Sequence, residues 1–230
     1  MARSLRHLGL AAISLTSLGG FANERDLPDQ RELTFTVFSA DPQADISYLP
    51  KPDAALRPLA FYPTAKSPRY RYRGDSSLAF YDHPTGIVIA SVKLPVGLKN
   101  SCVLFLPRTR SGDIQIRAID DDAAEHSVGE TRVINLSGMA LEGTINHNRV
   151  SFPDGSEHCA NYDATVRIAL RVIYRGRSYP SYAEEIRLLP GTRALVLLLP
   201  PYQGSPPDYR VGSLEVQSRV LIDHPASQQR

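Results

Sequence analysis

Apolar residues fall on every second position over Thr165 to Tyr174, where Val166, Ile168, Leu170, Val172 and Tyr174 alternate with Arg167 and Arg171. A period of two sends one set into a core and the other into solvent, which predicts a half-buried strand. Leu214 to Ile222 shows the same pattern, with Leu214, Val216, Val220 and Ile222 expected inward and Glu215, Gln217 and Arg219 outward. Shorter strands are expected at Leu33 to Phe38, Leu59 to Tyr62, Tyr70 to Arg73, Leu78 to Tyr81, Gly86 to Leu94, Val103 to Leu106, Ile114 to Ile119, Thr131 to Leu136, Arg149 to Phe152 and Glu185 to Leu188. Turn-forming runs separate them, among them Asp82-His83-Pro84-Thr85-Gly86 and Pro153-Asp154-Gly155-Ser156. So many short strands at this spacing predict an all-β sandwich or barrel.

Composition agrees with a folded chain of ordinary kind: 230 residues, 42% hydrophobic and 22% charged, with two Cys and no Trp. This is too apolar for a disordered chain and too poor in cysteine for a disulfide scaffold. Residues 1 to 22 have the form of a secretory signal peptide. Arg3, Arg6 and His7 precede the apolar stretch LGLAAISLTSL, and Gly20 and Ala22 are small residues before a cut that would leave Asn23 first. Removing that segment takes away two arginines and no acid, leaving 24 basic against 24 acidic residues. A neutral mature chain argues against nucleic acid or diffuse polyanion binding, so any anion site must be local. The apolar runs VLFLP and ALVLLLP each stop at a proline after a strand's length, so no transmembrane segment is expected.

The two halves share an order of short motifs. Tyr72-Arg73-Gly74, then Val92-Lys93-Leu94-Pro95-Val96-Gly97, Leu104-Phe105-Leu106-Pro107 and Ile119-Asp120 correspond to Tyr174-Arg175-Gly176, Ile186-Arg187-Leu188-Leu189-Pro190-Gly191, Leu197-Leu198-Leu199-Pro200 and Ile222-Asp223. The expectation is two tandem immunoglobulin-like β-sandwich repeats after the signal peptide, at 30–121 and 130–223, with 224–230 a flexible tail. The boundary falls in the acidic run Asp120 to Gly129. Lys66-Ser67-Pro68 leading into a Tyr/Arg strand, Leu94-Pro95-Val96-Gly97-Leu98, the LFLP block and Ile119-Asp120-Asp121 resemble exported bacterial β-sandwich proteins with an internal duplication. That resemblance implies an architecture and no activity.

Chemistry-bearing patterns are sparse. Arg69-Tyr70-Arg71-Tyr72-Arg73 would place three guanidinium groups on one strand face, suited to carboxylate, phosphate or sulfate, and Tyr70 and Tyr72 on the other. A solvated face, with each arginine paired to a neighbouring acid, is the alternative. Asp120, Asp121 and Asp122 read as solvated loop acid or as oxygen ligands for calcium between two exported domains. Cys102 and Cys159 lie in different halves, and in an oxidising compartment they would either form a disulfide across the repeats or remain two unpaired buried thiols. The five histidines after residue 22 sit mostly in polar loop sequence, there is no G-x-S-x-G elbow, and Glu184-Glu185 read as solvated. No catalytic residue and no cofactor is assigned. The expectation is an exported, periplasmic or secreted, non-enzymatic binding or scaffolding protein of the cell envelope, its partner an envelope protein or an anionic polymer. A hydrolase of an envelope polysaccharide is the alternative.

Overall fold

The structure is a computed structural model that describes residues 30–41, 43, 45–107, 112–161, 165–201 and 214–224; the expected signal peptide and nearly all of the expected tail lie outside these residues. The described residues form sixteen strands and no helix. In chain order they are β1 Arg31–Ser39, β2 Ile46–Tyr48, β3 Arg57–Pro58, β4 Tyr70–Gly74, β5 Ser77–Asp82, β6 Val88–Lys93, β7 Asn100–Phe105 and β8 Ile116–Asp120. The second eight are β9 Glu130–Asn135, β10 Leu141–Ile145, β11 Asn148–Phe152, β12 Glu157–Asn161, β13 Thr165–Tyr174, β14 Arg177–Arg187, β15 Arg193–Leu199 and β16 Gln217–Asp223. The chain is therefore all-β, and no described helix is long and apolar enough to cross a membrane.

Four sheets of four strands result. The first half forms β4-β1-β7-β8 and β3-β2-β5-β6; the second forms β12-β9-β15-β16 and β11-β10-β13-β14. Adding eight to each strand number of the first half gives the second. The directions agree too, because β1 runs parallel to β7 and β9 parallel to β15, each inside an otherwise antiparallel sheet.

The apolar pattern explains how the sheets stack. Along β7, Val103 and Phe105 enter a core shared with β2 and β5, whereas Cys102 and Leu104 face the opposite way. Along β15, Ala194, Val196 and Leu198 enter a core shared with β10 and β13, whereas Leu195, Leu197 and Leu199 turn back toward Leu104, Phe38 and Cys102. Three apolar layers follow. One fills each sandwich, and a third welds β4-β1-β7-β8 to β12-β9-β15-β16. The central strands of the two inner sheets are buried on both faces, which is why they read as unbroken apolar runs rather than alternation.

One expectation is corrected on an edge strand of this arrangement. In β16 it is Leu221 that is buried, at 3% exposed, while Ile222 is 48% exposed. Strand pairing gives the reason: Ile119 lies opposite Cys102 and Leu221 opposite Leu195, so Ile119 corresponds to Leu221 and the motif alignment through Ile222 was one residue out of step. A slip of one residue exchanges the faces of a strand. The strand expected at Leu59 to Tyr62 also does not form. The Ala60 N–H is taken by the Tyr70 hydroxyl at 2.8 Å instead of a ladder partner.

Candidate functional site

Strand β4 has the alternation expected of it. Tyr70 and Tyr72 are buried, Tyr70 against the rings of Phe35 and Tyr48 with centroids 5.5 Å away in each case. The Tyr72 hydroxyl donates toward the carbonyls of Asp75 and Ser77. These contacts fix the strand's roll and leave Arg71 and Arg73 exposed on the other face, with Arg69 exposed immediately before it. Strand β4 is the edge of its sheet, with Arg73 across from Glu32 and Arg71 across from Thr34. Among the described residues no ion pair engages Arg71 or Arg73. The contrast lies on the outer sheet of the second half, where Arg167 meets Glu185 at 2.8 Å and Arg171 meets Glu142 at 3.0 Å.

The Asp120, Asp121 and Asp122 run does not converge on a metal site, and among the described residues no group of three or more His, Cys, Asp or Glu side chains is placed to hold an ion. Asp120 accepts from the Asp122 N–H at 2.9 Å. Asp122 is held below the usual carboxylate range by hydrogen bonds from the Ala124 N–H and the Asn100 amide. Asp121 is not solvated at all: its side chain is 7% exposed and turned toward Lys66 and Arg193.

Sequence reasoning missed this second arrangement. Lys66, Asp121, Arg193 and Asp223 form a buried, charge-balanced cluster between the two inner sheets. The Lys66 ammonium reaches Asp121 Oδ1 at 2.8 Å, Asp121 Oδ2 at 2.9 Å and Asp223 Oδ2 at 2.8 Å, which uses its three donors. Arg193 uses all five. Its Nε and Nη2 donate to Asp223, Nη2 also to Asp121, and Nη1 to the carbonyls of His126 and Asp121. Asp121 and Asp223 hold corresponding places, because Asp223 lies opposite Arg193 on β15 and Asp121 follows the residue opposite Ser101 on β7.

Burial works against the charges of Lys66, Arg193 and Asp223, and pairing outweighs it. Lys66 is desolvated but is raised on balance by Asp121 and Asp223. Arg193 is likewise raised by its carboxylates. Burial would lift Asp223, yet the Arg193 and Lys66 cations bring it down to about 2. His126 lies in the loop between β8 and β9 yet is 1% exposed, and it is lowered to about 4, first by burial and then by the positive charges of Arg193 and Lys66. Its Nε2 lies 3.3 Å from the Glu130 carbonyl, which only accepts, so the neutral ring carries its proton there. Every partner in this cluster is internal, and its chemistry is that of a lock between the halves.

The cysteines do not pair. Both are free, Cys102 buried and Cys159 exposed on β12. Burial pushes the Cys102 thiol up to about 12, and burial with the Glu130 carboxylate pushes Cys159 up to about 11. Neither has the thiolate character of a nucleophile. Glu184 accepts from the Tyr182 hydroxyl, and Glu185 pairs with Arg167, so the two acids face different partners.

No family model matches the chain, and comparison with curated proteins gives no match.

Proposed function

We propose that this chain is an exported, non-enzymatic binding protein of the bacterial cell envelope, made of two tandem immunoglobulin-like sandwich repeats after a signal peptide at 1–22, and that Arg69, Arg71 and Arg73 engage the anionic groups of an envelope polymer. The observation that carries this reading is the state of Arg71 and Arg73. They stand exposed two residues apart on an edge strand with no ion pair among the described residues, while the comparable arginines of β13 are each matched by a glutamate. A guanidinium fork is suited to carboxylate, phosphate or sulfate in bidentate geometry. The repeat reading is supported by the identical sheet order and pairing directions of the two halves. The export reading is supported by the basic, apolar and small-residue sequence of 1–22. The buried Lys66, Asp121, Arg193 and Asp223 lock holds the arginine strand in fixed relation to the second half, as suits a scaffold.

The test uses the full chain on a uronate polymer immobilised on beads, with a neutral glucan as control. The expected result is retention on the uronate at low salt, with no new reducing ends over hours, and loss of retention in the triple variant R69Q/R71Q/R73Q. Reducing ends that accumulate in proportion to protein would establish the hydrolase instead. Equal retention of wild type and triple variant would remove the arginine face from the account.

A further inference from the structure

The apolar layer between the halves has the ion cluster at one end and a pocket at the other. Ser39 pairs with Phe105, the last residue of β7, and Arg219 lies four residues along β16 from Asp223. There a cavity of about 350 Å³ opens between the chain after β1, the segment after β3 and strand β16. Its lining includes Ser39, Asp41, Gln43, Phe61, Tyr62 and Arg219. Both halves contribute to it.

Two observations mark it as built for a ligand. Ser39 is 6% exposed, and its Oγ and the Gln43 Nε2 are buried with no hydrogen-bond partner among the described residues. Polar atoms left so are costly to bury, and turning the Gln43 amide toward an occupant sacrifices no existing bond. The aromatic wall is also set in place. Phe61 is held edge-on by Phe105, centroids 5.1 Å apart at 87°, and the Tyr62 ring beside it is 45% exposed.

We propose that this pocket binds a neutral sugar residue. Asp41 and Arg219 line it together, so a bare anion meets the carboxylate and a bare cation meets the guanidinium. The lining instead offers both roles in hydrogen bonding. Asp41 accepts, Ser39 and Gln43 accept and donate, and Arg219 keeps three of its five donors after those directed to the Ser218 and Ala40 carbonyls. A sugar ring carries hydroxyls that both donate and accept, and an apolar C–H face that lies flat on an aromatic ring. The volume falls inside the range of about 300 to 1,000 Å³ usual for small-ligand pockets. The site is separate from the arginine strand and goes beyond the function proposed above.

The experiment titrates the full chain with glucose, galactose, mannose, N-acetylglucosamine and their β-linked disaccharides. Saturation-transfer NMR and tyrosine emission report binding, and no Trp masks the emission. Saturable binding of at least one sugar is expected, weakened about 10-fold, equivalent to about 1.4 kcal/mol, by Tyr62→Ala and by Gln43→Ala at unchanged thermal midpoint. The variant R69Q/R71Q/R73Q should bind the sugar as wild type does, which separates this site from the arginine face. Absence of saturable binding across the series would overturn the proposal. So would unchanged affinity in both pocket variants, or saturation by acetate or inorganic phosphate in place of sugar.

Discussion

Lowering the pH from 7 to 5 should weaken the fold through one residue, His126. The residue is 1% exposed, packed where the charges of Arg193, Lys66 and Asp121 all reach it, and its folded pKa lies at about 4 against the ordinary histidine value of about 6.5. A folded value below the unfolded one means the unfolded chain binds the proton more readily, so stability is complete above about pH 6.5 and falls as pH drops toward 4. Over the full window the loss is about 3 kcal/mol, at about 1.4 kcal/mol per pKa unit. Between pH 7 and pH 5 the same linkage gives about 2 kcal/mol, a large part of the ~5 to 15 kcal/mol that holds a typical domain. Asp223, held at about 2, acts in a lower window: its stabilisation is present above about pH 4 and disappears as pH falls toward 2. Urea unfolding followed by far-ultraviolet circular dichroism at pH 7 and pH 5 measures the difference. The variant His126→Gln should lose less than a third of what wild type loses, whatever its absolute stability. If both lose the same amount, the His126 ring does not resist protonation in the folded state and the electrostatic reading of the junction is wrong.

The lock itself should be costly to break from one side. Arg193→Met leaves Asp121 and Asp223 with Lys66 alone, and urea midpoints should report a loss of about 3 to 5 kcal/mol, as for other buried pairs deprived of a partner. At Gly143 a Cβ would stand 2.0 Å from the Ala169 carbonyl oxygen of the paired strand, so Gly143→Ala should separate β10 from β13 and lower stability by about 1 to 3 kcal/mol. Thiol labelling with Ellman's reagent at pH 8 should leave Cys102 untouched until the chain unfolds, while Cys159 reacts slowly in the native state.

Strands with one wet face were legible in the sequence. Thr165 to Tyr174 forms with the bounds and facing expected, because its outer side is solvent and the alternation reports burial directly. Strand β4 was legible for the same reason, its tyrosines buried and its arginines out. Strand β16 was misread at Ile222 because Leu221 enters the layer between the halves and Val220 packs against the other core, which leaves Ile222, at the end of an edge strand, 48% exposed. Strand β12, Glu157–Asn161, carries no apolar pattern and is recruited by pairing with β9. The ion cluster was out of reach for another reason. Its members are spread from Lys66 to Asp223, and only stacking of the two inner sheets brings them together. Asp121 was assigned to solvent with its neighbours, although a one-residue turn of the chain sends it alone into the junction.

The most direct test of the account is the salt dependence of binding to a uronate polymer. Affinity measured from low to moderate sodium chloride should fall steeply for wild type, because charge pairing at exposed arginines is screened within about 10 Å at 0.1 M salt. The variant R69Q/R71Q/R73Q should bind weakly at every salt concentration, with a nearly flat dependence and an unchanged thermal midpoint, since exposed charges contribute little to stability. A wild-type affinity that ignores salt, or a triple variant with the wild-type slope, would contradict the assignment of the β4 arginines as the binding face.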